Sequence, residues 1–240
     1  MKIHLFIPCL VDQAAPATAH ATKQLLERMG HEVIFDRRQT CCGQALFNGG
    51  FRLEAQQLAE RFISIFSSAE VIVSPSGSCV SMVVNHYGDL GLTGTIRDDY
   101  ESLKSRIFEL SQFLAILPPV PSGFSKFPHS VVYHPSCHLT RDLGVKQEPI
   151  DLLSRVGGIR LVGEDLPLEC CGFGGVFSVK YSGLSRRIAE RRATALASTG
   201  AEFVTGGDDS CLGHLKQALQ RIGSPMRTIH YARILVGEEV

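Results

Sequence analysis

Eight cysteines fall into two sets that share one pattern, and this duplication constrains the fold more than any other feature of the 240-residue chain. The first half carries Cys9, then Cys41-Cys42-Gly43, then Cys79. The second carries Cys137, then Cys170-Cys171-Gly172, then Cys211. The single cysteine precedes the vicinal pair by 32 residues in one half and 33 in the other; the last cysteine follows by 38 and 41. Two such sets imply two sites of four thiols, one per half. The halves also align outside their cysteines. IHLFIPC (3–9) resembles VVYHPSC (131–137), and AEVIVSPSGSC (69–79) resembles AEFVTGGDDSC (201–211). Between them, PPVPSGFSKFP (118–128) reads as a linker, rich in Pro, Gly and Ser. Two domains follow, 1–118 and 129–240.

Each half alternates apolar strand runs with helical patterns. In the first, 3–7, 32–35 and 71–74 read as strands, with helices over 17–29 and 52–66 and a longer one over 96–117. In the second, strands fall at 131–134, 160–162 and 202–205, with helices near 148–156, 184–197 and 212–222. Such alternation predicts parallel strands joined by crossover helices. The expected class is α/β, with two subdomains related by a pseudo-twofold axis. Each would be a small parallel-type sheet with crossover helices. Cys9, Cys79, Cys137 and Cys211 then each follow a strand closely, and the vicinal pairs follow the remaining strands by a few residues. The carboxyl ends of parallel strands share one edge, so each set is expected to converge there. Neighbouring side chains on a strand point to opposite faces, so a vicinal pair serves one site only where the backbone turns. Gly43 and Gly172 permit that turn.

Composition says what the thiols are for. The chain is 44% hydrophobic and 20% charged, enough to bury a core without disulfide or metal staples. A formal net charge of zero argues against nucleic acid as a partner. No apolar run reaches the length of a membrane span. The start, MKIHLFIPCL, reads as a strand and lacks the features of a signal peptide. The expected location is cytoplasmic, where a cysteine framework holds metal or does redox work. Four thiolates suit an iron–sulfur cluster or zinc. The close C-x2–4-C pairs usual for zinc are missing, so the spread spacing favours iron–sulfur, with zinc open at one site. No G-x-G-x-x-G follows a strand, so no nicotinamide or flavin carrier is expected here.

The pattern resembles the cysteine-rich CCG domain, found twice in the cysteine-rich component of heterodisulfide reductase and in iron–sulfur subunits of glycolate and glycerol-3-phosphate oxidation systems. CCGQ followed by FNGG, and CCGFGGVFSVK (170–180), are most similar to the lactate-utilisation protein A family. The resemblance covers nearly the whole chain. It implies an iron–sulfur electron-transfer subunit of a complex oxidising L-lactate to pyruvate. It also implies partner subunits, one of them a ferredoxin-like iron–sulfur protein. The cofactors implied are 4Fe-4S clusters, cubane or non-cubane, on Cys9, Cys41, Cys42 and Cys79 and on Cys137, Cys170, Cys171 and Cys211. The fullest form of the motif ends each repeat in Cys-x-x-Cys. Here the ends are Cys79-Val-Ser-Met82 and Cys211-Leu-Gly-His214, which leaves four thiolates per site and His214 as a candidate further ligand. The rival readings are a zinc-stabilised assembly scaffold and a CCG-type disulfide or glycolate oxidoreductase subunit.

Several neighbours of the second set are candidates for supporting roles. His134 and His138 bracket Cys137 and could donate N–H to a cluster sulfur. Gly172, Gly174 and Gly175 with Ser178 and Lys180 could form an anion nest, though a tight turn is the stronger reading. Lys180 and Tyr181 either line the site or face solvent. Arg186, Arg187, Arg191 and Arg192 form a basic run, read as a solvated face, with docking of an acidic partner as the alternative.

Overall fold

A computed structural model describes residues 1–118 and 124–238. Part of the linker read at 118–128 therefore lies outside the described residues. The chain divides into two compact units, Met1–Ile116 and Leu117–Val240.

Unit 1 runs β1 (Lys2–Leu5), α1 (Cys9–Ala14), α2 (Pro16–Arg28), β2 (Glu32–Ile34), α3 (Gln44–Gly49), α4 (Arg52–Phe66), β3 (Ile72–Ser74), α5 (Gly77–Ser81), α6 (Gly94–Leu103), β4 (Ile107–Glu109) and α7 (Leu110–Ala115). Its four strands lie in the order β2-β1-β3-β4, all parallel. Unit 2 runs β5 (Ser130–Tyr133), α8 (Glu148–Ser154), β6 (Arg160–Val162), α9 (Val176–Lys180), α10 (Ser182–Ala197), β7 (Phe203–Gly206), α11 (Asp209–Arg221), β8 (Arg227–His230) and α12 (Tyr231–Leu235). Its order is β6-β5-β7-β8, again all parallel. The fold is α/β, with two similar units.

The central strands are covered on both faces. Ile72, Val73, Val131, Val132, Phe203 and Val204 are all buried, as parallel strands under crossover helices require. The long helices supply that cover through one stripe each. On α4 the stripe is Ala55, Ala59, Phe62, Ile63 and Phe66; on α10 it is Ser185, Ala189, Arg192, Ala193 and Leu196.

Two expectations need correction. The single helix expected over 96–117 is broken into α6, β4 and α7. Ile107–Glu109 pairs with β3 instead of continuing the helix. Arg106 braces the break, its guanidinium donating to Ser67 O at 3.0 Å and also to Ala69 O. A new helix then starts in a capping box. The Glu109 carboxylate accepts Ser111 N–H at 2.8 Å, and Gln112 Oε1 accepts Glu109 N–H at 3.1 Å. Unit 2 likewise has an unexpected fourth strand, β8, alongside β7.

Strand order fixes where a ligand can sit. The chain leaving β1 travels to β2 on one side, and the chain leaving β3 travels to β4 on the other. Connections that diverge from adjacent strands open a crevice at their carboxyl ends. Cys9 follows β1 and Cys79 follows β3; Cys137 and Cys211 follow β5 and β7 in the same way.

Candidate metal centres

In unit 1 the crevice gathers all four thiols. Cys9 Sγ lies 3.4 Å from Cys41 Sγ, and Cys42 Sγ lies 3.2 Å from Cys79 Sγ. Cys41 and Cys42 also hydrogen-bond each other. Gly43 makes this convergence possible. Its φ of +84° turns the chain, and its N–H donates back to Cys41 Sγ at 3.4 Å. Gln39 fixes the approach, accepting from Ile7 N–H at 2.7 Å and donating to Leu5 O at 3.0 Å. The buried Tyr87 hydroxyl donates to Cys42 O at 3.0 Å.

Unit 2 repeats the plan. Cys137 Sγ lies 3.8 Å from Cys170 Sγ, and the Cys171 thiol hydrogen-bonds both Cys170 and Cys211. Gly172, at φ +83°, donates its N–H to Cys170 Sγ at 3.3 Å. Here a Cβ would meet Ser185 O at 2.7 Å, so only glycine fits. Ser136 donates to Asp208 Oδ2 at 2.5 Å and ties the loop after β5 to the loop after β7.

Each set has a buried side and a solvent side. Cys42, Cys79, Cys171 and Cys211 are buried, Cys41 and Cys137 half-buried, and Cys9 and Cys170 exposed. Crowded thiols share protons unequally. Hydrogen bonds from Cys42 and Cys9 hold Cys41 down to about 3. Hydrogen bonds from Cys137 and Cys171 hold Cys170 down to about 2. The same contacts, followed by burial, push Cys9, Cys42, Cys137 and Cys171 up. Each set thus concentrates negative charge on the first cysteine of its vicinal pair.

The surroundings of the two sets differ, and the repeat shows where. Phe6 N–H bonds Val73 O, and His134 N–H bonds Thr205 O, with Val73 and Thr205 each six residues before the last cysteine. Phe6 and His134 therefore hold one structural position. A Cβ on Gly43 would face Ala55 O and Leu58; one on Gly172 would face Ser185 O and Ile188. That pairs Ala55 with Ser185 and, seven residues on, Phe62 with Arg192. In unit 1, Phe6 and Phe62 meet edge to face, with ring centroids 4.8 Å apart. In unit 2, Arg192 Nε donates to His134 Nδ1 at 3.3 Å, and both side chains are 1% exposed. Likewise the buried Ala55 and Met82 of unit 1 become Ser185 and His214, whose Oγ and Nε2 lie 3.1 Å apart.

His134 is the histidine that stands with thiols. One of its ring nitrogens and the sulfurs of Cys171 and Cys211 lie within 4.8 Å of one another. Burial, with Arg192 alongside, lowers His134 to about 3, so the ring is neutral. Because Nδ1 accepts from Arg192, its proton sits on Nε2, which is buried without a partner. His214, the candidate further ligand, donates to Ser185, which donates to Gly172 O at 2.7 Å. His138 is half-buried at the start of a π-helical turn, His138–Asp142. Gly174 and Gly175 turn into the five-residue α9, and Lys180 and Tyr181 face solvent. The basic run is split. Arg186 pairs with Glu190, Arg191 with Glu169, Arg187 is exposed, and Arg192 is core, not a solvated face.

Four thiols at the strand-switch crevice of each of two like sheets define a duplicated cysteine-rich-domain protein. The family model for that class, CCG cysteine-rich domain, matches residues 3–84 and 131–216. Over 241 aligned residues the chain is 40% identical to Lactate utilization protein A of Halalkalibacterium halodurans, covering 100% of this chain and 98% of that one. It is 36% identical to the Bacillus pumilus protein of the same name, covering 98% and 99%. The chain belongs to the lactate utilization protein A family. A crystal structure of a hypothetical protein from Helicobacter pylori shares the fold at a TM-score of 0.62 and 12% identity, over all of this chain and 49% of that one. Among the described residues no helix is long and apolar enough to cross a membrane.

Proposed function

We propose that each four-thiol set binds an iron–sulfur cluster and that the chain carries electrons in a complex oxidising L-lactate to pyruvate. The observation behind this reading is the duplicated set of four thiols, each gathered at a crevice that strand order creates. Four thiolates are a donor set for such clusters, and a bound cluster supplies one-electron chemistry. The chain's own residues hold and tune that group. Cys42 and Cys79, and Cys171 and Cys211, anchor it from the core. Cys9 and Cys170 close it from the solvent side. Gly43 and Gly172 donate backbone N–H groups to sulfur, and His134 Nε2–H is available to the second set alone. Hydrogen bonds to sulfur raise cluster potentials, so the second site is the stronger electron acceptor. The relatives' name, lactate utilization, supports the substrate. Oxidation of the substrate itself falls to partner subunits, one a ferredoxin-like iron–sulfur protein, in the cytoplasm.

One observation favours zinc as a second reading. A tetrahedral ion with sulfur bonds of about 2.3 Å sets its ligands about 3.8 Å apart, and Cys137 and Cys170 are 3.8 Å apart. A multi-iron cluster needs wider spacing, which the exposed Cys9 and Cys170 have room to provide. Anaerobic purification with iron, sulfide and zinc analysis decides between them. Iron with matching acid-labile sulfide is expected. Stoichiometric zinc without iron after anaerobic reconstitution would support the scaffold instead.

A further inference from the structure

Beside the second thiol set lies a cavity of about 210 Å³ that no cysteine lines. Ile150, Leu161, Val162 and Leu166 give it apolar walls. Lys146 and Glu164 line it from exposed positions. Deeper, it is lined by Thr140 and Arg192, which are 6% and 1% exposed. Thr140 Oγ1 and Arg192 Nη2 are both buried without a hydrogen-bond partner.

Two unpaired donors on residues that line one small cavity need a reason. A buried polar group left unsatisfied costs about 1–3 kcal/mol, and folded proteins keep few of them. Arg192 is already held on two sides, by His134 Nδ1 and by Pro167 O at 2.9 Å. Its remaining face carries a positive charge and a free N–H. Glu169, which attracts it, hydrogen-bonds Arg191 instead. A guanidinium and a hydroxyl among the residues lining one cavity suit a planar carboxylate.

We infer that this cavity binds a small monocarboxylate with a short apolar body, its carboxylate received by Arg192 Nη2 and Thr140 Oγ1. The size excludes drug-sized molecules, whose pockets run to about 300–1,000 Å³. The apolar walls disfavour phosphate, whose outer oxygens would lose water without replacement. Lys146 draws an anion toward the cavity, and Glu164 opposes a second negative charge. The inference uses no metal, so it stands apart from the iron–sulfur reading.

Isothermal titration of pyruvate and of butyrate into the anaerobically purified full chain tests it, with phosphate and succinate as further arms. Saturable binding of a monocarboxylate is expected, with no binding of phosphate or succinate. Thr140→Val keeps the side chain's shape and removes a hydroxyl that is unpaired in the free protein, so folding is preserved. It should weaken binding about tenfold or more, the effect of losing a hydrogen bond to a charged group. Leu168→Trp, at an exposed position lining the cavity, should block binding. Failure of both monocarboxylates to bind, unchanged affinity in Thr140→Val, or equal binding of phosphate would each overturn the inference. Iron content measured on the same samples keeps its failure separate from failure of the cluster reading.

Discussion

At matching positions of the two units stand Phe6 and Phe62 in the first and His134 and Arg192 in the second. The backbone beneath them is the same: one strand order, one glycine turn, one N–H to the leading sulfur. Duplication has kept what places the sulfurs and changed what surrounds them. Position is set by strand ends and by a left-handed glycine, which tolerate little variation. Electrostatics is set by side chains one layer away, which can be exchanged in pairs. A buried aromatic pair contributes packing. A buried His–Arg pair contributes hydrogen-bond donors and positive charge to an anionic site, at a desolvation cost. The two sites are therefore alike in reach and unlike in field.

The sharpest way to break this comparison is to disable one site. Cys79→Ser should empty unit 1 and spare unit 2, and Cys211→Ser the reverse, each leaving about half the wild-type iron. Metal analysis that found both units drained by either change would show the sets to be interdependent. The next effect concerns charge at the surface. Cys9 and Cys170 are both exposed, but Cys9 is pushed up and Cys170 down to about 2. A lowered thiol stays thiolate as pH falls, until its own value is reached; a raised one is already protonated at neutral pH. Limited iodoacetamide labelling of metal-free protein at about pH 5 should therefore modify Cys170 at least about tenfold faster than Cys9. Peptide mass spectrometry giving equal rates would place the charge elsewhere.

A smaller effect tests the exchanged pair. His134→Phe leaves Arg192 Nε without its acceptor and should cost about 1–3 kcal/mol in urea unfolding. Adding Arg192→Phe rebuilds the arrangement of unit 1 and should recover most of that loss. Penalties that simply add would show that the two residues act independently. The smallest effect compares the glycines. Alanine at 43 or 172 suffers the same left-handed backbone, about 1–2 kcal/mol. At 172 the Cβ also meets Ser185 O at 2.7 Å, whereas at 43 nothing is nearer than 3.5 Å. Gly172→Ala should exceed Gly43→Ala by about 1 kcal/mol, measured the same way.

What could be read from sequence was whatever repeats or acts locally. The cysteine spacing and the glycine after each pair gave the two units, the strand-end placement and the turn. The strand β4 was lost inside an apparently helical stretch, because three residues carry too little periodicity to stand out. Its readable trace was Glu109-x-x-Gln112, a capping box that marks a helix start. β8 is held by pairing with β7, a contact no local pattern announces. Arg192 looked solvated because it ends a run of arginines. Its neighbours Ala189, Ala193 and Leu196 mark the buried stripe of α10, and alignment of the repeats sets it opposite Phe62. That overlay, carried past the cysteines, would have found it. His134 is marked by its place beside Cys137, but its Arg192 partner lies 58 residues away, beyond any local signal.

Cys9 and Cys170 are exposed while Cys42, Cys79, Cys171 and Cys211 reach into the core. Any protein that settles over either sulfur strips water from one flank of its site and leaves the other unchanged. Loss of water shifts the energy of charge on sulfur. On the proposed cluster reading, complex formation and redox poise would be joined at these two surface atoms, so assembly itself would gate when current flows.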